Sequence, residues 1–104
     1  MRTEAFTMKL KPGCEAEYQR RHQAIWPELK ALLRENGVSD YHIFLDRATL
    51  TLFAVQKVSG AGGSQDLGSD PIVQRWWNHM ADLMEINPDN SPVSIPLDEV
   101  FSME

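Results

Sequence analysis

Hydrophobic and polar positions change period repeatedly along this chain, and each change marks an element. Residues 2–10 alternate, with Phe6, Met8 and Leu10 on one side and Ala5, Thr7 and Lys9 on the other, which predicts a strand. Lys11-Pro12-Gly13 is a turn signal. The period then lengthens: Tyr18, His22, Ile25, Leu29, Leu32 and Leu33 fall within an arc of roughly 100°, which predicts an amphipathic helix over residues 14–35. Pro27 lies inside that helix and removes a backbone donor, so a kink or break is expected near residues 23–26. Asn36-Gly37 is a helix stop.

Alternation returns at residues 40–46, where Tyr41, Ile43 and Leu45 share one face and His42 and Phe44 the other. After a short connection, residues 50–58 place Leu50, Leu52 and Ala54 opposite Phe53 and Val55, and the two strands are expected to form a hairpin. Residues 60–69 are glycine-rich, carry no GxxxxGK[ST] phosphate signature, and read as a mobile connection. Asp70-Pro71 supplies an N-cap and a first-turn proline. Ile72, Val73, Trp76, Trp77, Met80, Leu83 and Met84 then recur at helical steps. The turn-rich residues 87–92 end that helix, and residues 93–101 read as a final extended segment, with Pro96 pointing to an edge position.

Strand, helix, strand, strand, helix, strand is the ferredoxin-like βαββαβ order: an α+β fold with an antiparallel sheet and two helices on one face. The hairpin is apolar on both faces, so the face without helices needs a cover. A second copy packed sheet to sheet is the simplest one, giving a homodimer of the dimeric α/β barrel type.

Composition narrows the function. The 104 residues fit a single domain, 1–104, with 42% hydrophobic and 24% charged residues, as in ordinary globular proteins. A formal net charge of -5 argues against nucleic acid or an anionic membrane surface as partner. No apolar run approaches the ~18 residues of a membrane span, and the N-terminus has no secretory apolar core. The lone Cys14 forms no internal disulfide, so a reducing, cytoplasmic setting is expected.

Few residues are suited to chemistry. Tyr18 and His22 stand four apart on the buried stripe, so they face the same space. A titratable ring there is either part of a site or a satisfied core histidine. His42 and His79 lie off that stripe, no two histidines have metal-ligand spacing, and there is no CxxC, so no metal site is expected. Nothing activates Cys14, and no serine sits in a GxSxG turn. Trp76 and Trp77 diverge by ~100° on their helix and flank the edge of its apolar stripe. Two flat rings with N–H donors suit a ligand that is apolar on its faces and polar at its rim, such as a sugar; both also suit a core.

The motifs EYQRRHQAIWPEL, QRWWNHM and NPDNSPVS, with Tyr41 and Leu45-Asp46 in the second strand and a final EVF, resemble the L-rhamnose mutarotase family over nearly the whole chain. The glycine-rich segment 60–68 departs from that pattern. The resemblance implies a homodimeric α+β enzyme that interconverts the α and β anomers of L-rhamnose without cofactor or metal. It assigns the proton donor to His22 and sugar contacts to Tyr18, Tyr41, Trp76 and Trp77. Two other readings use the same scaffold: a cofactor-free oxygenase and a non-catalytic sugar-binding module.

Overall fold

The computed structural model describes residues 1–103. Strands β1 (Arg2–Lys9), β2 (Val38–Asp46), β3 (Thr51–Val58) and β4 (Ile95–Leu97) form one antiparallel sheet in the order β2-β3-β1-β4. Helices α1 (Glu15–Gln23), α2 (Pro27–Glu35) and α3 (Pro71–Met80) pack on one face of it. This is the ferredoxin-like arrangement, with the expected first helix divided in two.

Pro27 causes the division. The residue before a proline is pushed out of helical geometry, and Trp26 is extended at φ -63°, ψ 130°. Pro27 itself opens α2 from the first helical position, where its missing N–H costs nothing. Hence α1 ends at Gln23, and the stripe expected on one helix is shared between two.

The strands obey the expected alternation. Phe6, Met8, Leu52 and Ala54 are buried beneath the helices and join Tyr18, Leu29, Val73, Trp76, Trp77 and Met80 in one core. Pro96 sits on the edge strand, opposite Phe6, where its missing donor faces away from the sheet.

Other elements differ from expectation. Leu50 does not open β3: it takes a left-handed conformation, φ 59°, and its carbonyl accepts the Leu10 amide at 3.0 Å. β2 carries a bulge between Ser39 and His42, where Asp40 is left-handed at φ 46°. α3 stops at Met80 rather than running through Met84, because a tight turn over Ala81–Leu83 follows; Leu83 and Met84 are buried all the same. Of residues 93–101 only Ile95–Leu97 pairs as strand.

The second sheet face is not covered within the chain. Phe44 and Phe53 are cross-strand partners and are 63% and 39% exposed; Ile95 and Leu97 on β4 are 62% and 42% exposed. Val100 and Phe101, beyond β4, are also exposed.

Candidate functional site

Between the sheet and the helices lies a cavity of about 760 Å³, within the ~300–1,000 Å³ typical of small-molecule sites. Tyr18, His22, Tyr41, Trp76 and Trp77 all line it. All five residues singled out from the sequence therefore converge on one space, from α1, β2 and α3.

His22 is held on two sides. Its ring lies 4.3 Å from that of Tyr18, centroid to centroid, and meets Trp76 edge-on at 5.4 Å. Its Nδ1 is 3.2 Å from the Tyr18 carbonyl, one turn earlier on α1. A carbonyl only accepts, so Nδ1 carries the proton and donates, which leaves the neutral ring's lone pair on Nε2. Burial lowers the His22 pKa from its ordinary value, and the bond to the Tyr18 carbonyl offsets part of that. The ring is thus neutral near pH 7, with its basic nitrogen on a pocket-lining side chain.

The two tyrosines remain protonated. Burial raises the Tyr18 pKa, and the neighbouring Tyr41 adds to the effect. Burial also raises that of Tyr41, against a smaller opposing contribution from Ser64. The bulge in β2 falls beside Tyr41 and sets its entry into the pocket.

Trp76 and Trp77 do not merely flank an apolar edge: both are buried while still lining the cavity. Gly68 makes room for Trp77, since a Cβ there would lie 2.6 Å from the indole six-membered ring. Trp76 is also supported from outside, by Trp26 edge-on at 5.1 Å and His79 at 5.5 Å. Trp26 is free to take that place because the Pro27 break releases it from the helix.

Arg21 fixes α1 against α3. It donates to the His79 carbonyl at 2.7 Å, which belongs to the last turn of α3, and to the Asp82 carboxylate at 2.8 Å. It also donates to Glu17 at 2.7 Å. A helix C-terminus needs such donors, and this one holds His22, the next residue, against Trp76.

The sequence reading missed Gln56, Ser64 and Glu15. Gln56 is fully buried and shares the inward face of β3 with Leu52, Ala54 and Val58. A polar residue at that parity was the available signal. Ser64 lies in the glycine-rich segment, which is not a loose connection: Ser64–Asp66 forms a tight helical turn, and Ser64 and Gln65 line the cavity. Arg2 donates to the Gly60 and Ala61 carbonyls and ties that segment to β1. Glu15, at the start of α1, lines the cavity with its Oε1 buried and unpaired among the described residues.

Among the described residues, no group of three or more His, Cys, Asp or Glu side chains is placed to hold a metal ion. No helix among them is long and apolar enough to cross a membrane.

Fold and site together define a small ferredoxin-like α+β domain with an aromatic-walled pocket built around a neutral histidine. A family model described as L-rhamnose mutarotase matches residues 3–103, and the chain belongs to that family. It is 69% identical to the L-rhamnose mutarotase of Bacteroides thetaiotaomicron and 62% identical to that of Phocaeicola vulgatus, over the full length of both chains in each case. It also matches the crystal structure of an L-rhamnose mutarotase from Formosa agariphila, with a TM-score of 0.93 and 58% identity over the whole of both chains.

Proposed function

We propose that this protein is an L-rhamnose mutarotase, an isomerase that interconverts the α and β anomers of L-rhamnose, with residues 1–104 acting as one domain. The reading rests on the full-length family match. The observation that carries the chemistry is a neutral His22, its Nδ1 committed to a backbone carbonyl and its Nε2 left basic, in the wall of a sugar-sized pocket.

The chemistry follows from the hemiacetal. Opening the ring breaks the bond between C1 and the ring oxygen, puts a proton on that oxygen, and removes one from the anomeric hydroxyl. The resulting C1 aldehyde rotates, and the ring oxygen attacks its other face. In this reading Nε2 of His22 takes the anomeric proton on opening while a second group, a pocket hydroxyl or a water, gives a proton to the ring oxygen. On closure His22 returns its proton to the aldehyde oxygen, and the second group takes one back from the attacking hydroxyl. His22 is then the base of one half-reaction and the proton donor of the other. Tyr18, Tyr41, Trp76 and Trp77 hold the sugar, the indole rings against its C–H face and the phenols at its hydroxyls. No electron or group is transferred, and neither a metal nor a cofactor takes part.

The same proposal includes a homodimer formed through the exposed sheet face of Phe44, Phe53, Ile95 and Leu97, and a cytoplasmic location in keeping with the single cysteine. The relatives' names do not favour the oxygenase or the passive sugar binder. The test is saturation transfer between the anomeric proton signals of L-rhamnose, with and without protein. Faster exchange at catalytic protein concentrations is expected; binding without faster exchange would leave only a sugar-binding module.

A further inference from the structure

We infer that Ser64 and Gln56 are positioning residues that make the Tyr41 hydroxyl a hydrogen-bond donor to the sugar. The inference rests on the mutarotase reading for its kinetic consequence, while the hydrogen-bond network can be tested without it.

The network has a direction. The backbone N–H of Ser64 donates to Gln56 Oε1 at 2.9 Å. That bond fixes which end of the Gln56 amide is which, because only the oxygen can accept. The other end, Nε2, therefore donates to Ser64 Oγ at 2.7 Å. Ser64 has one hydroxyl proton, and with Nε2 donating to its oxygen that proton is free for the remaining contact, Tyr41 Oη at 3.4 Å. Tyr41 then accepts from Ser64, and its own proton is left for the pocket. The direction runs from a backbone amide through Gln56, Ser64 and Tyr41 to the ligand.

The arrangement is built rather than incidental. Gln56 is 0% exposed and cannot exchange its bonds for water, and Ser64 is 7% exposed at the cavity wall. Gly63 lets the turn approach, since a Cβ there would lie 2.7 Å from Gln56 Oε1 and 2.5 Å from Glu4 Oε1. The Asp66 carboxylate accepts the Gly63 N–H at 2.9 Å and closes the turn. The Tyr41–Ser64 contact is the longest of the three bonds and lies at the end of the network that meets the pocket.

The consequence for the reaction is a second polar group of fixed sense. His22 presents an acceptor from the helical layer, and Tyr41 presents a donor from the sheet. A donor at the sugar's ring oxygen or at a neighbouring hydroxyl is what opening requires opposite a base.

Three variants test this: Ser64→Ala, Ser64→Thr and Gln56→Glu. Ser64→Ala removes the donor to Tyr41 and also the acceptor of Gln56 Nε2. The bond to Tyr41 is the one that bears on the rate, and exchange of L-rhamnose anomers is expected to slow by about 2- to 10-fold, as for loss of one neutral hydrogen bond. Ser64→Thr keeps the hydroxyl and is expected to restore most of the rate. In Gln56→Glu the ionised carboxylate only accepts, so the Ser64 proton turns toward it and Tyr41 is drawn to donate to Ser64. Protonating the carboxylate restores the donor, so this variant alone is expected to lose activity as pH rises through the new group's pKa. Glu4, the β1 partner of Gln56 and bonded to Arg2, is a native carboxylate beside this network and is common to wild type and variant.

The chain has two tyrosines, so the Tyr41 ζ-carbon NMR signal reports donor or acceptor status directly, whether or not the protein is a mutarotase. It is expected to move in Ser64→Ala and not in Ser64→Thr. A Tyr41 signal unmoved in Ser64→Ala overturns the inference. So does an equal rate loss in the Ala and Thr variants, because the turn's packing and not the hydroxyl would then matter. If Gln56→Glu does not fold, the Ser64 pair decides alone. An inactive wild type with the expected shifts in Tyr41 refutes the mutarotase reading and leaves the network intact.

Discussion

Replacing His22 by Asn separates its chemical role from its structural one. The Asn amide nitrogen falls near the position of Nδ1, so it can still donate to the Tyr18 carbonyl, 3.2 Å away in the wild type. Nothing then occupies the position of Nε2. The proton exchanger is lost while the bond that orients the side chain is kept. General acid–base catalysis contributes about 10²–10⁴-fold, or roughly 3–5 kcal/mol of barrier. Anomer exchange is expected to fall by at least about 10²-fold. Affinity for the sugar should change much less, because a group acting in the transition state lowers turnover more than ground-state binding.

The structural cost is smaller and comes from the lost ring contacts with Tyr18 and Trp76. Two such contacts total about 1–3 kcal/mol, a fall in Tm of roughly 5–20 °C for a domain of this size. Assays belong well below that midpoint, with circular dichroism confirming a folded variant. The wild type carries an independent signature. Burial lowers the His22 pKa in the folded state, so between that value and the ordinary ~6.5 the unfolded chain binds more protons. Stability therefore rises with pH through that window and is lost as pH falls through it, and the His22→Asn variant, with no group to titrate there, cannot show this. Near-wild-type exchange by the folded His22→Asn protein would falsify the mechanism and return His22 to the core.

Two further outcomes follow from the same structure. Light scattering is expected to show a dimer at micromolar concentration, and Phe53→Glu, which puts a charge in the exposed apolar sheet face, is expected to give a folded monomer; a monomeric wild type refutes the sheet-to-sheet arrangement. Tryptophan emission should change on adding L-rhamnose and change at least several-fold less in the Trp76→Phe, Trp77→Phe double variant, since Trp26 is the one other indole and does not line the cavity; equal responses exclude the contact.

Much of this arrangement was legible in the sequence because period and punctuation are local signals. Alternation grouped Phe6 with Met8 and Leu52 with Ala54, each pair on one face, though not which face the helices cover. Asp70-Pro71 marked the start of α3, where the Asp70 carboxylate accepts the Ile72 amide at 2.8 Å. Pro27 announced its break. The unread features depend on contacts distant along the chain. The β2 bulge arises from pairing with β3. The His79 carbonyl in the last turn of α3 is met by Arg21, a long way earlier in the sequence. The glycine-rich segment read as loose because glycine signals freedom, yet Gly63 and Gly68 stand where a side chain would strike Gln56 or Trp77. Gln56 was the one legible clue passed over, a polar side chain at an inward position.

The dependence of rate on pH follows from how two of the pocket's polar groups, His22 and Tyr41, are held beside Tyr18 and Glu15. His22 takes its polarity from the Tyr18 carbonyl, and Tyr41 takes its own, through Ser64 and Gln56, from the Ser64 backbone amide. Backbone groups cannot reverse roles, so acceptor and donor are set before the sugar arrives, and both are neutral. A neutral pair avoids the cost of burying a charge and suits a neutral substrate. It also predicts an unequal profile. On the acid side, activity should fall once His22 is protonated, and burial places that limb below pH ~6.5. On the alkaline side, the Tyr41 hydroxyl must keep its proton, and burial raises its pKa above the ordinary ~10. The enzymatic rate, after subtraction of the hydroxide-catalysed background, should therefore stay level from neutral pH to at least ~10. Exchange measured across that range in folded protein decides the matter. A falling limb centred near pH ~8 or ~9 would reveal an ionisation that neither His22 nor Tyr41 can supply, and the donor assigned to the sheet side of the pocket would have to be another group.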